Sequence, residues 1–251
     1  MAELAVPEAN LAVVVGGAGG VGRALVEALA GNPAYDRVIA LSRRRPADWP
    51  LAGEPDRRVW IEADILDEAS LAEAARQISA LGTPTRILIA TGILHADGLA
   101  PEKTMRSLDA DALTRVFQVN AVGPALAAKH LLPLTPRDRP SVLAALSARV
   151  GSIGDNQLGG WYGYRASKAA LNMLIHTLAI EHQRTRPQGI CVVLHPGTVD
   201  TALSAPFQAG VASPKLFTPE HSASALLAVI DGLGPQANGG FFGWDGTPIP
   251  W

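Results

Sequence analysis

Tyr164 and Lys168 are separated by three residues and begin an apolar run that repeats with helical spacing. In a helix, residues four apart lie on the same side. An ammonium group beside a phenol favours the phenolate, so we expect Lys168 to lower the pKa of Tyr164 and make it a proton donor or acceptor near neutral pH. The same spacing also occurs on ordinary exposed helices, so this interpretation depends on the rest of the chain.

A glycine-rich segment lies between a predicted strand at 11–15 and a predicted helix at 23–30. Glycines here let the backbone turn tightly and approach a pyrophosphate, whose charge is met by the amides of the helix N-terminus. Because a strand and a helix flank the segment on the required sides, a merely flexible connection is disfavoured. Two spacings fit, G-x-G-x-x-G through Gly17, Gly19 and Gly22, and G-x-x-x-G-x-G through Gly16, Gly20 and Gly22.

A second predicted strand, 38–41, leads into Ser42 and three consecutive arginines, of which Arg43 is the first. Chains that bind NAD normally hold an acid at this position, about twenty residues beyond the glycines, to bind the ribose 2′-hydroxyl. This chain has no acid there, and a guanidinium suits the 2′-phosphate of NADP(H) through paired charge-assisted hydrogen bonds. The position therefore predicts NADP(H) as the cofactor, with a solvated basic loop as the alternative.

Predicted strands and helices alternate along the whole sequence. This alternation predicts one α/β domain over residues 1–251, a doubly wound, mainly parallel seven-stranded sheet with helices on both faces. Ligands of such sheets bind at the carboxyl ends of the strands, where the candidate site residues converge. The remaining strands are expected at 59–63, 87–90, 142–146, 190–194 and 240–244, and the remaining helices at 68–81, at 113–132 with a kink at Gly123-Pro124, around Tyr164 and from Pro219, with a loop at 202–218.

The composition argues against several classes of function. A formal net charge of −2 gives no support for binding to nucleic acid or to an anionic membrane. The single cysteine, Cys191, lies in an apolar strand and excludes a disulfide framework or an all-cysteine metal site, and no metal site is expected. No apolar stretch is long enough to span a membrane and the N-terminus lacks the features of a signal peptide, so we expect a cytoplasmic protein.

With these residues assembled, the chain resembles the short-chain dehydrogenase/reductase family over essentially its whole length. Segments 160–168, 195–201 and 244–251 are similar to its C-factor-like, or cell–cell signalling, subgroup. The resemblance implies a Rossmann fold, NADP(H) as cofactor, and hydride transfer between the nicotinamide and a small carbonyl or alcohol substrate. The matching elements are the glycine loop, Asp64, Asn120, Ser147, Tyr164-x-x-x-Lys168 and Pro196-Gly197-x-x-x-Thr201.

The same resemblance implies a role for each site residue. Tyr164 would be the general acid for reduction, and Lys168 would lower its pKa and hold the nicotinamide ribose. Asn120 would hold a water of the proton relay, and a serine would hydrogen-bond the substrate oxygen. The implied cofactor-binding residues are Gly16, Gly19, Gly20, Val21, Gly22, Ser42, Arg43, Asp64, Ile65, Ala90, Thr91, Gly92, Tyr164, Lys168, Pro196, Gly197, Thr198, Val199 and Thr201.

Three positions depart from the family pattern. Val15 replaces the usual threonine before the glycines, and Ile89-Ala90-Thr91-Gly92 replaces Asn-Asn-Ala-Gly, so an amide brace of the sheet is missing. The family serine lies three residues before a glycine, and that position is Ala148 here. We assign the serine role to Ser147, with Ser152 as the alternative.

Two other functions fit parts of the sequence. A dinucleotide-binding signalling or scaffold protein with vestigial catalysis is the main alternative, because Ala148 stands where a catalytic serine is usual. A nucleoside-diphosphate-sugar epimerase ranks last, since the chain beyond the sixth strand is too short for a sugar domain.

A homodimer or homotetramer is expected, because the helices that carry Tyr164 and Asn120 are rich in Ala and Leu and the C-terminal region is aromatic.

Overall fold

Short apolar segments form one parallel sheet in the computed structural model, which describes residues 9–49, 57–209 and 215–251. The strands of this sheet are β1 Asn10–Val15, β2 Arg37–Ser42, β3 Arg58–Glu62, β4 Thr83–Ile89, β5 Ser141–Leu146, β6 Gly189–His195 and β9 Phe241–Gly243. Their order is β3-β2-β1-β4-β5-β6-β9, and every neighbouring pair is parallel. The predicted parallel seven-stranded sheet is therefore confirmed.

Helices cover both faces of the sheet, so alternate residues of its central strands enter two different cores. The helices are α1 Gly20–Ala30, α2 Glu68–Leu81, α3 Ala110–Phe117, α4 Gly123–Leu131, α5 Tyr162–Gln183 and α6 Pro219–Gly232. Val13 of β1 belongs to a core shared with α2, α4 and α5, whereas the adjacent Val14 belongs to a core shared with α1 and α6. Both residues are fully buried, as expected for a parallel strand covered on both sides.

The helix expected at 113–132 is instead two α-helices joined by a π-helical turn. It begins earlier, at α3, because the Asp109 carboxylate accepts a 2.8 Å hydrogen bond from the Ala112 N–H. The turn spans Gln118–Val122 and ends where the Gly123 N–H donates to the Gln118 carbonyl. Pro124 has no N–H for the carbonyl four residues earlier, and its ring crowds that carbonyl. The irregularity therefore precedes the proline and contains Asn120.

The loop expected at 202–218 needs correction. Within the expected loop at 202–218, a short strand β8, Leu216–Phe217, pairs in parallel with β7, Thr198–Val199, and residues 210–214 lie outside the described part. In the C-terminal region, Phe241 is buried and Trp251 stacks on it with centroids 5.8 Å apart. These two rings pack against each other within the chain, so they give less support to assembly than the sequence suggested.

Candidate active site

The glycine loop turns from β1 into α1 through backbone conformations that favour glycine. Gly16 has φ of 83° and Gly20 has φ of 52°. A Cβ on Gly22 would lie 2.2 Å from the Gly16 carbonyl oxygen, so only glycine lets α1 pack this closely against the loop. Gly19 faces open space and offers no side chain to cap the first turn of α1, which leaves those amides available to an anion.

A cleft of about 1160 Å³ runs along the carboxyl ends of strands β1 to β6. It includes every predicted cofactor-binding residue except Gly22, which instead packs beneath the loop. Three of the four predicted catalytic residues also line it, and Asn120 does not. The predicted residues that line the cleft are Gly16, Gly19, Gly20, Val21, Ser42, Arg43, Asp64, Ile65, Ala90, Thr91, Gly92, Ser147, Tyr164, Lys168, Pro196, Gly197, Thr198, Val199 and Thr201.

Of the three consecutive arginines, only Arg43 lines the cleft. Its side chain is exposed and makes no hydrogen bond or ion pair with any residue in the described part of the chain. Ser42, beside it, is already engaged: its hydroxyl accepts from the Trp60 indole at 2.8 Å and donates to the Arg44 carbonyl at 2.9 Å. Arg43 is therefore available to an anionic ligand at this end of the cleft.

Further along the cleft, small and polar residues lead from the glycine loop towards Lys168. A Cβ on Gly20 would touch the Thr201 methyl at 3.3 Å, and one on Gly92 would lie 3.6 Å from Lys168 Nζ. Thr91 Oγ1 is buried and has no hydrogen-bond partner among the described residues. A buried polar atom without a partner is costly, and a bound polar ligand would satisfy it. These features fit an extended phosphate-bearing ligand between the loop and Lys168.

Tyr164 and Lys168 lie in the first two turns of α5 and are both buried. Lys168 Nζ is 5.9 Å from the centre of the Tyr164 ring and donates a 2.8 Å hydrogen bond to the Leu146 carbonyl. Burial raises the pKa of Tyr164 to about 12 and lowers the pKa of Lys168 to about 8. The expected lowering of the tyrosine pKa is therefore wrong for this structure, because desolvation outweighs an ammonium directed at a backbone carbonyl.

Asn120 is fully buried in the π-helical turn and braces the segment after β4. Its side-chain oxygen accepts from the Ile93 N–H at 2.7 Å, while its amide donates to the Ile93 carbonyl at 2.8 Å and to Ser167 Oγ at 3.1 Å. An amide thus holds this segment even though the usual Asn-Asn pair at the end of β4 is absent.

The two candidate serines have different surroundings. Ser147 lines the cleft, and its hydroxyl donates a 2.6 Å hydrogen bond to the side-chain oxygen of Asn172. Ser152 does not line the cleft, and its oxygen accepts from the Asp155 N–H at 3.1 Å. A hydroxyl has one proton, so Ser147 can offer only lone pairs to a ligand while this bond is in place.

Several residues that line the cleft had no predicted role, and His195 and Trp161 are two of them. The buried Nδ1 of His195 has no hydrogen-bond partner among the described residues, and burial lowers the pKa of this histidine to about 4. Trp161, just before α5, has φ of 52° and is the only described non-glycine residue with a positive φ. The preceding Gly159-Gly160 pair was a signal for this turn, whereas nothing in the sequence indicated that Nδ1 would lack a partner.

The described residues contain neither a cluster of metal-ligating side chains nor a membrane-spanning helix. No group of three or more His, Cys, Asp or Glu side chains in the described ranges is arranged to hold a metal ion. None of the described helices is both long and apolar enough to cross a membrane.

The sequence of this chain is similar to a known protein family. The family model for short chain dehydrogenase matches residues 10–212. The chain is 38% identical to C-signal of Myxococcus xanthus over 140 residues, covering 55% of this chain and 78% of that protein. It is 32% identical to 1-hydroxy-2-glutathionyl-2-methyl-3-butene dehydrogenase of Rhodococcus sp. over 188 residues, covering 75% of this chain and 78% of that protein.

Among solved structures, the fold is similar to an NADPH-bound carbonyl reductase from chicken fatty liver, with a TM-score of 0.85 and 23% identity over 98% of this chain and 100% of that one. This likeness confirms the fold, and the similarity to C-signal confirms the resemblance to the cell–cell signalling subgroup. The chain therefore belongs to the short-chain dehydrogenase family of NAD(P)-dependent oxidoreductases.

Proposed function

We propose that this chain transfers hydride between NADP(H) and a small carbonyl or alcohol substrate, with Tyr164 as general acid in reduction and general base in oxidation. The observation that supports the proposal best is the single cleft that joins the glycine loop, Arg43 and the Tyr164–Lys168 pair. An NADPH-bound carbonyl reductase shares the fold. A reduced nicotinamide, when bound, supplies the hydride, and the protein must supply the proton and the orientation.

The cleft residues fit NADP(H) from one end to the other. The uncapped first turn of α1 and the glycine loop suit the pyrophosphate, with Thr201 adjacent to Gly20. Arg43 offers an exposed guanidinium to the 2′-phosphate at the end of β2. Among the described residues, Asp64 is the only carboxylate that lines the cleft, so this part of the lining repels an anionic ligand little.

Burial keeps Tyr164 in the protonated form that reduction requires, although the raised pKa makes its phenol a weaker acid than usual. Because its pKa is raised to about 12, the phenol stays protonated at neutral pH and can donate to a substrate oxygen. Once the proton has left, the phenolate is stabilised by the Lys168 ammonium, which lies 5.9 Å from the ring centre. Lys168 uses one proton on the Leu146 carbonyl and keeps two for a ribose hydroxyl and a water.

Deuteride transfer tests this function directly. We expect NADPH carrying deuterium at the transferable position to place one deuterium on the carbinol carbon of the alcohol product when ketones and aldehydes are screened. NADPH binding without transfer to any compound would instead support the alternative function, a dinucleotide-binding scaffold with vestigial catalysis. Two observations favour that alternative. Ala148 occupies the usual serine position, and the Ser147 hydroxyl already donates its proton to Asn172.

We further propose a homodimer or homotetramer in which α5 forms a contact. Met173, Leu174 and Ile180 of this helix are 65%, 37% and 51% exposed, although α5 also contributes to a buried core on its other side. Exposed apolar residues grouped on one helix are typical of an interface between subunits.

A further inference from the structure

Three aromatic side chains from separate segments continue the cleft beyond Tyr164. We call His95, Phe207 and Trp161 the aromatic wall; all three line the cleft. Trp161 lies edge-on to Tyr164 with centroids 6.2 Å apart, Phe207 lies 5.1 Å from Trp161, and His95 lies 5.7 Å from Phe207. The wall therefore begins at the side chain that would donate the proton, where a substrate must lie.

Trp161 is held in a conformation that a bulky residue rarely adopts. Its φ of 52° follows two glycines that also have positive φ. Its N–H donates a 2.5 Å hydrogen bond to the Glu102 carbonyl, and the Glu102 carboxylate accepts from the Gly163 N–H at 3.0 Å. Arg165 secures the same turn by donating to the Gly160 carbonyl at 2.9 Å. Such backbone strain persists only where the surrounding structure fixes it, and it is concentrated at functional sites.

The other two residues of the aromatic wall are also fixed by hydrogen bonds. The ring nitrogen Nε2 of His95 lies 2.9 Å from the Ala202 carbonyl oxygen, which ties the segment after β4 to the segment after β7. The Phe207 N–H donates to the Ser204 carbonyl at 2.8 Å, which fixes the backbone that carries this ring. A wall on an ordered backbone loses less conformational entropy when it binds a flat ring.

The charges along the cleft limit which rings fit. Arg115 and Arg149 also line the cleft, although Arg149 is paired with Asp155 at 2.6 Å, whereas Asp64, the only lining carboxylate among the described residues, follows β3 in the region that also holds Arg43. Among the described residues, no carboxylate lines the cleft beside the wall to attract a cationic ring, whereas a neutral or anionic ring would not be repelled. Aromatic rings prefer edge-to-face or offset contacts at centroid distances of about 4.5–7 Å, which is the spacing within the wall itself.

We infer that the aromatic wall selects neutral or anionic carbonyl compounds whose carbonyl is attached to a flat aromatic ring. The inference rests on the proposed function, because it takes Tyr164 as the proton donor to that carbonyl. It goes further by naming the substrate class and by assigning specificity to Trp161 and Phe207.

The test compares acetophenone with cyclohexyl methyl ketone, which present the same methyl ketone on a flat or a puckered six-membered ring. We expect the kcat/KM ratio with NADPH to favour acetophenone and to fall about 2- to 10-fold in Trp161→Leu and in Phe207→Leu, the usual contribution of one aromatic pair. Differences in intrinsic reactivity cancel when this ratio is compared between proteins. Leu158→Ala is the matched control, because Leu158 precedes Trp161 in the same segment and is 92% exposed.

Binding separates failure of this inference from failure of the proposed function. Ligand-observed NMR with NADP⁺ present, which binds the site but cannot reduce the ketone, should show tighter binding of acetophenone, and loss of that preference in both leucine variants. Equal affinities, or a preference that both variants retain, would overturn the aromatic site even if the ketones are reduced. Phe207→Leu lies on a different segment and decides the matter if Trp161→Leu does not fold. Absence of turnover with an intact binding preference would count against the hydride-transfer function alone.

Discussion

Arg43 is the residue that we expect to make the protein bind NADPH more tightly than NADH. Its guanidinium lines the cleft and has no partner in the described part of the chain. We expect Arg43→Ala to weaken NADPH binding about tenfold or more, because a charge-assisted hydrogen bond contributes roughly 1.5–3 kcal/mol. NADH affinity should change little. Fluorescence titration of both cofactors measures this, with Arg44→Ala as the control because Arg44 is also exposed but lies outside the cleft lining. Equal NADPH affinity in the parent and Arg43→Ala would contradict the assignment.

Lys168 should set the upper limit of the pH range for reduction. Burial lowers its pKa to about 8, so its positive charge is present below that pH and is lost as pH rises through it. The Tyr164 phenol stays protonated across this range, since its pKa is raised to about 12. We therefore expect kcat/KM for reduction to decline above about pH 8.

The matched variant is Lys168→Arg, because a guanidinium remains charged throughout this range. The decline should then move to higher pH, provided that cofactor binding shows that the site is intact. Identical pH profiles for the two proteins would show that another group controls the rate.

At the scale of elements, Asn120 links the π-helical turn to the segment after β4. Asn120→Ala would leave both the N–H and the carbonyl of Ile93 without their partners. We expect the free energy of unfolding to fall by about 1–3 kcal/mol, the usual cost of leaving a buried polar group unpaired. Urea denaturation measures this, with Gln118→Ala as the control because Gln118 lies in the same turn and is exposed. An equal, small loss in both variants would rule out the bracing role.

Regular elements were predicted well from sequence because periodic apolar patterns define them. The helix 68–81 has those bounds in the structure, with Asp67 capping its first turn through the N–H groups of Ala69 and Ser70. The π-helical turn was not predicted, because Pro124 signals an irregularity without showing which neighbouring residues take it up. Strand β8 was not predicted either, since two residues carry no periodicity.

The sequence predicted which positions line the cleft better than it predicted the pKa values and hydrogen bonds of the side chains there. Parallel strands bring their carboxyl ends together whatever the side chains are, so the cleft lining followed from topology. The pKa of Tyr164 depends on burial and on the direction of the Lys168 ammonium, which spacing along a helix does not determine. The hydrogen bond from Ser147 to Asn172 likewise joins residues from two elements, so no local sequence pattern predicts it.

For the whole molecule, the exposed apolar residues of α5 predict association between copies of the chain. Met173 and Ile180 lie two helical turns apart on one side of α5 and are 65% and 51% exposed. We expect Ile180→Glu to shift the oligomer towards monomer, because a charge in an apolar interface is costly to desolvate. Light scattering at micromolar concentration measures this, and Leu158→Glu, at an exposed site outside α5, should leave the oligomer intact. A monomeric parent protein would refute the assembly.

The central claim is that Tyr164 delivers the proton, and turnover of Tyr164→Phe measured beside NADPH affinity tests it most directly. The variant keeps the ring and its packing but removes the hydroxyl, so the Kd for NADPH should hardly change while kcat falls by about 10²–10⁴-fold, the usual contribution of a positioned acid. Tyr162→Phe, also on α5 but 39% exposed and outside the cleft lining, should keep the parent rate. If Tyr164→Phe reduces a substrate as fast as the parent protein, Tyr164 only fills space and the catalytic account is wrong.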